Sequence, residues 1–179
     1  MITIARVAEP GRLGGMEPRD DVERAVIADL VRLDADYEAF PIEPEFADTA
    51  AFCERYGFAQ DESANAIVIA SKKPAGVNAM CLALATTRLD VNHRVRDLLG
   101  VRKLSFATPE QTRELTGMEI GGVTPFGLQR VLPTYVDDRI VALPRCIVGG
   151  GSRSMKVSVD PEVFARMEGV EVVAGLAGD

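Results

Sequence analysis

Two runs rich in glycine are the residues of this chain best placed to do chemistry. One reads Gly121-Gly122-Val123-Thr124-Pro125-Phe126-Gly127 and the other Gly149-Gly150-Gly151-Ser152-Arg153. Without a Cβ, glycine leaves main-chain N–H groups bare and lets a ligand come close to the backbone. Aimed at one point, such donors polarise an ester carbonyl and hold the oxyanion that develops on it, with no charged side chain involved. Taken singly, each run reads more simply as a tight turn. Only a shared site makes the pair chemical.

The usual side-chain engines are missing. There is no G-x-x-x-x-G-K-[ST] and no G-x-G-x-x-G, so no nucleotide-phosphate loop is read. His93 is the only histidine and sits in a polar helical stretch, which fits a surface position and leaves a Ser-His-Asp triad without support. One histidine and three scattered cysteines (Cys53, Cys81, Cys146) do not suggest a zinc site. We expect no metal and no cofactor. The odd, apolar-flanked cysteines read as buried thiols of a reducing compartment rather than a disulfide framework.

The elements that must position these runs follow from capping and periodicity. Asp20 or Asp21 caps a helix whose Val22, Ala25, Val26, Leu30 and Leu33 share a face. Tyr37–Pro41 reads as a strand, and Asp48–Thr49 open a helix that stops at Gly57. Asn65–Ser71 and Asn78–Ala85 read as strands joined by a turn through Lys72, Lys73, Pro74 and Gly76. A helix follows at about Val91–Leu99, then a strand at Lys103–Phe106. Thr108, Pro109 and Gln111 form a capping box for a helix that ends at Gly117. Strands are expected at Thr134–Asp137, Arg145–Val148, Ser154–Val159 and Val170–Ala174, with a helix from Asp160–Pro161 to Gly169. No regular βαβ rhythm appears, which favours an α+β domain. The start, with Gly11, Gly14, Gly15 and Pro18, reads as a mobile arm.

A chain of 179 residues, 47% hydrophobic and 26% charged, suffices for one core. No signal peptide is read at the start, and the longest apolar run, Ala79–Ala85, is far too short to span a membrane. A cytoplasmic protein is expected. The net charge of −7 argues against non-specific DNA or RNA binding. Its distribution is uneven: net −9 over residues 1–70, +6 over 71–156 and −4 over 157–179. A positive middle between acidic ends suits a local phosphate contact, and it suits merely solvated faces equally well.

The sequence resembles the YbaK/prolyl-tRNA-synthetase-associated domain family over roughly residues 36–175. The stretch from Leu115 to Gly127 is similar to its Thr-Gly, then Gly-Gly-[Val/Ile]-[Ser/Thr]-Pro-x-Gly motif. Leu132-Pro133-Thr134-Tyr135-Val136-Asp137 is similar to its Leu-Pro-x-x-[Val/Ile]-Asp strand, Gly150-Gly151-Ser152-Arg153 to its Gly-Gly-[Lys]-Arg turn, and Arg88-Leu89-Asp90 to its x-Leu-Asp segment. The resemblance implies an α+β fold with a central mixed, barrel-like sheet flanked by helices. Residues 1–35 would form an arm and helix, and 36–179 the editing domain.

It implies an activity too: hydrolysis of the ester in a wrongly charged tRNA, commonly tRNA(Pro) carrying alanine or cysteine, without metal or protein nucleophile. The loop from Gly121 to Pro125 (Gly121, Gly122, Val123, Thr124, Pro125) would hold the carbonyl. The attacking group would be water placed by the ribose hydroxyl, or the thiol of a cysteinyl substrate. Asn65 stands where the family's usual lysine is expected. Lys72 cannot replace it, because seven residues of strand span about 23 Å. A non-catalytic module that binds the aminoacyl end or a small ligand is the alternative this change motivates.

Among the expected substrate contacts, Arg153 meets a phosphate and Phe126 stacks on the terminal adenine or else joins the core. Thr124 touches the ribose or bonds its own backbone, and Asp137 binds an amino group or caps the next turn. Asn65, Gly127, Gly150, Gly151 and Ser152 complete the set. The acidic helix at 20–33 either shields an edge or mediates self-association, as in a homodimer.

Overall fold

The computed structural model describes residues 12–13 and 16–179; Gly11, Gly14 and Gly15 of the expected arm lie outside that range. In chain order come β1 (Arg12–Leu13), α1 (Asp21–Arg32), β2 (Tyr37–Pro41), α2 (Thr49–Tyr56), β3 (Ala64–Lys73), β4 (Ala75–Leu84) and β5 (Arg88–Leu89). A π turn at Val91–Val95 leads into α3 (Arg96–Leu99), followed by β6 (Lys103–Phe106), α4 (Pro109–Thr116), β7 (Thr134–Asp137) and α5 (Asp138–Val141). The chain closes with β8 (Cys146–Gly149), β9 (Met155–Val159), a 3-10 turn at Pro161–Arg166, β10 (Val170–Val173) and β11 (Ala177–Gly178).

Local chemistry explains most of these boundaries. The Asp20 carboxylate accepts from the Glu23 amide at 2.8 Å and starts α1. Thr108 and Gln111 cap α4 reciprocally at 3.2 and 2.9 Å. The β3–β4 hairpin runs further than its hydrophobic pattern indicates: Lys72 pairs with Ala75 past an irregularity at Ala70, so little more than Pro74 is left as turn. The helix expected up to Gly169 is the short 3-10 turn, too brief to sustain α geometry.

The fold is α+β, with mixed sheet flanked by helices. Five strands lie in the order β10-β7-β4-β3-β6; β3 is antiparallel to both neighbours, while β7 is parallel to β4 and β10. Four more lie in the order β1-β2-β9-β8, and the two sheets touch at a parallel bridge between Ser63 and Ile147. Val26 and Leu30 of α1, Met80 and Leu82 of β4, and Met155 and Val157 of β9 share one core. Burying side chains of this size stabilises by roughly 1.5–3 kcal/mol each. The helix that the sequence set apart in residues 1–35 therefore packs into the same core as the strands.

Strand β9 is covered on both faces. Met155, Val157 and Val159 are fully buried in the main core. Alternation puts Lys156 on the other face. There α2 folds over the sheet, and Phe40, Ile42, Phe52 and Ile147 form a second apolar cluster.

Candidate active site

A cavity of about 260 Å³ opens between α2, β3, β9 and the loop after α4. Asn65 and Ala66 on β3 form one wall, Gly121 and Val123 of the first glycine-rich run a second, and Lys156 on β9 the floor. Thr49, the first residue of α2, also lines it and donates to the Asn65 side-chain oxygen at 2.5 Å. That bond leaves the Asn65 NH2 as its free donor group. Phe106 and Ile120 stand at the margin, 59% and 51% exposed.

The two glycine-rich runs meet, back to back. The Gly151 amide donates to the Gly122 carbonyl at 2.7 Å. A Cβ on Gly122 would lie 2.4 Å from the Ser152 carbonyl oxygen, and one on Gly149 would lie 2.4 Å from that of Val123. Main chain touches main chain here, which is what the missing side chains permit. The contact also spends donors. The amides of Gly122, Gly150 and Gly151 go to the carbonyls of Glu119, Met155 and Gly122. The expectation that both runs leave their N–H groups bare is therefore corrected: within the two runs, it is Gly121 and Val123 that line the cavity with amides given to no described acceptor.

The second run reaches the cavity only at Gly149, and the rest of it braces the first from behind. Ser152 Oγ donates to Glu23 Oε1 at 2.5 Å, and Glu23, fully buried at the start of α1, also accepts from the Arg19 amide at 2.6 Å. Gly127 is held from below, its amide donating to Asp29 Oδ2 at 2.9 Å. Arg153 does not offer a free guanidinium. It donates to the carbonyls of Ile120 (2.7 Å) and Pro44 (3.0 Å) and pairs with Asp48 at 3.3 Å, stapling the cavity loop to the start of α2.

Four further side chains lie elsewhere. Phe126 is fully buried and stacks on Phe164 with centroids 5.9 Å apart, so of its two sequence readings the core holds. Asp137 caps α5, pairs with Arg139 at 2.8 Å and accepts from the Ala177 amide. Burial opposes its charge, yet Arg139 prevails and holds the carboxyl below its usual range. Thr124 is fully buried, and its hydroxyl has no partner among the described residues. Pro125 is buried beside it.

Sequence reasoning missed Lys156. It is 5% exposed; Nζ donates to the Gly121 carbonyl at 3.2 Å and sits 5.5 Å from the Phe52 ring centroid. Burial lowers its pKa to about 8, with Asp48 and Cys53 acting against the shift and Arg153 adding to it. In Met155-Lys156-Val157-Ser158-Val159 the lysine alternates with apolar residues as on any half-solvated strand. The sequence carries no sign that its face is roofed.

Among the described residues no group of three or more His, Cys, Asp or Glu is arranged to hold a metal. Burial pushes the Cys81 and Cys146 thiols up to about 12, which keeps them protonated. No helix is long and apolar enough to cross a membrane, again among the described residues.

The α+β fold thus carries a small cavity lined mostly by apolar side chains, with Asn65, two threonines, parts of the glycine-rich runs and one lysine among them. The sequence profile of the aminoacyl-tRNA editing domain matches residues 43–167, and the chain belongs to that family. Its fold is similar to that of a candidate trans-editing enzyme for prolyl-tRNA synthetase, at 24% identity and a TM-score of 0.74, covering 89% of this chain and 98% of the other. A protein described only as hypothetical shares the fold at 19% identity and a TM-score of 0.75, over 86% of this chain and 99% of its own. A scaffold used for epitope grafting does so at 19% identity and 0.74, over 89% and 99%.

Proposed function

We propose that the chain is a cytoplasmic trans-editing hydrolase that deacylates mischarged aminoacyl-tRNA, with tRNA(Pro)-type substrates. Residues 36–179 carry the chemistry, and α1, from the segment before them, braces the loops. The observation that carries this reading is one cavity lined together by Gly121 and Val123 of the Gly121–Pro125 loop and by Asn65. Its volume of about 260 Å³ falls below the ~300–1,000 Å³ of sites for drug-sized ligands and suits one small acyl group on a ribose.

The chemistry needs few groups. The ester carbonyl lies against the amides of Gly121 and Val123, which hold the oxyanion as water adds to the carbonyl carbon. Collapse breaks the bond to the ribose oxygen, which takes up the proton that water gives away. Free amino acid and a 3′-hydroxyl result. No protein nucleophile takes part, in keeping with the buried, protonated thiols of Cys81 and Cys146. Phe106, exposed at the margin, replaces Phe126 as the surface on which the terminal adenine stacks.

Purified protein incubated under multiple turnover with a panel of mischarged tRNAs tests the reading. The expected result is release of alanine or cysteine from tRNA(Pro), abolished by Gly121→Ala, which forces a side chain onto a φ of +97°. Binding without release across the whole panel would make the chain a non-catalytic module for the aminoacyl end.

A further inference from the structure

Lys156 is the one ionisable side chain among the residues lining the cavity. It is buried at the floor, and no described carboxylate is within ion-pairing distance of its ammonium. Leaving a lysine so placed is costly, because a desolvated charge without a counterion is repaid by little in the protein. One of its three donors goes to the Gly121 carbonyl, and the Phe52 ring takes one side of the cation. The remaining donor capacity belongs to the same space as the Gly121 loop. A buried cation that lines a cavity, touches its backbone wall and lacks a protein anion fits an anion that comes with the ligand. In ester hydrolysis that anion is the tetrahedral oxyanion.

We infer that Lys156 is a catalytic residue of this site, the cation that meets the oxyanion of the ester from the β9 floor, opposite the uncharged Asn65. This rests on the deacylase reading above and adds to it the charge that the β3 wall lacks. The lysine keeps its proton throughout; water supplies the proton that leaves with the ribose oxygen. Asp48 at the cap of α2, Cys53 on α2 and Arg153 on the loop are the titratable and charged groups acting on it. Arg153 is already paired to Asp48, so the pair leaves Lys156 without a full counter-charge.

Single-turnover deacylation by Lys156→Met and Lys156→Arg tests the inference. Removing one oxyanion donor costs about 10²–10³-fold in rate. Lys156→Met should therefore lose about that much while binding uncharged tRNA as the parent does, and Lys156→Arg should recover part of it. After subtraction of uncatalysed hydrolysis, the parent's rate should fall as pH rises through about 8, where the ammonium is lost, and the arginine variant's should not. Lys156→Met within threefold of the parent, with Gly121→Ala inactive, would overturn the inference and leave the deacylase reading standing.

A second probe serves if the parent hydrolyses nothing. An adenosine phosphonate carrying a tetrahedral anion and a neutral 3′-amide analogue are titrated by calorimetry. A preference for the phosphonate that vanishes in Lys156→Met upholds the anion site while the deacylase reading falls. Equal affinities of parent and variant for the phosphonate overturn the inference.

Discussion

The two glycine-rich runs look alike in sequence and do different work. Gly121 and Val123 wall the cavity, whereas the second run reaches it only at Gly149, and its Gly150-Gly151-Ser152 stands behind and ties it to α1. The difference lies in where the main-chain amides go. The second run gives its Gly150 and Gly151 N–H groups to protein carbonyls, while Gly121 and Val123 keep theirs. A glycine run announces close backbone approach, and its neighbours decide whether a ligand or another strand of protein does the approaching.

The sharpest test of that division is Gly122→Ala, since Gly122 belongs to the first run but abuts the second. Its new Cβ would stand 2.4 Å from the Ser152 carbonyl, so backbone must yield; a loss of about 3 kcal/mol is expected, read as a lowered denaturation midpoint. Gly121→Ala meets side chains and no backbone, Arg153 closest and the Ala47 Cβ at 3.2 Å, besides the strain of its positive φ. It should cost less stability, about 1–2 kcal/mol, and far more activity. Equal stability losses would erase the distinction between wall and brace.

Lys156→Met comes next, with the opposite sign. The drop from 10.5 to about 8 means the folded protein carries an ammonium it disfavours by roughly 3 kcal/mol. For a base whose folded pKa is depressed, that penalty is fully present below about 8 and is relieved as pH rises from there to 10.5, where the unfolded chain still binds the proton. The methionine variant should therefore melt higher than the parent at pH 7, with the gap closing by pH 10. A variant more stable and less active separates function from folding.

Glu23→Ala probes the brace itself. It strips the acceptor from the Ser152 hydroxyl and the Arg19 amide, leaving Ser152 Oγ only the Ser154 amide that donates to it, and should cost about 2 kcal/mol. Lys72→Ala is the baseline. Exposed at the hairpin end and away from the cavity, it should shift stability by less than about 0.5 kcal/mol and leave the rate of the chemical step unchanged in single-turnover assays.

What was legible in the sequence was local. The capping box at Thr108 and Gln111, the span of β2 and the stop of α2 at Gly57 are signalled within a few residues of themselves. So was the presence of two glycine-rich runs, though not that the second spends its amides on protein carbonyls. The roles of individual side chains depend on what folds over them, and there the reading faltered. Phe126, following a proline in the loop, reads as a substrate contact or as core and stacks in the core; Phe106, which the sequence did not single out, ends an edge strand and is the aromatic left in the open. Arg153 looks free and is held by partners more than thirty residues away. Lys156 is buried because α2 packs across β9 from far back in the chain, a contact that no window of sequence around Lys156 records.

The most direct test of the account is a crystal structure with a non-hydrolysable 3′-aminoacylamido-adenosine. The amide carbonyl should lie within hydrogen-bonding distance of the Gly121 or Val123 amide, with Lys156 Nζ on its other side and the adenine against Phe106. An analogue bound at saturation anywhere else, with the cavity beside Gly121 empty, would contradict it.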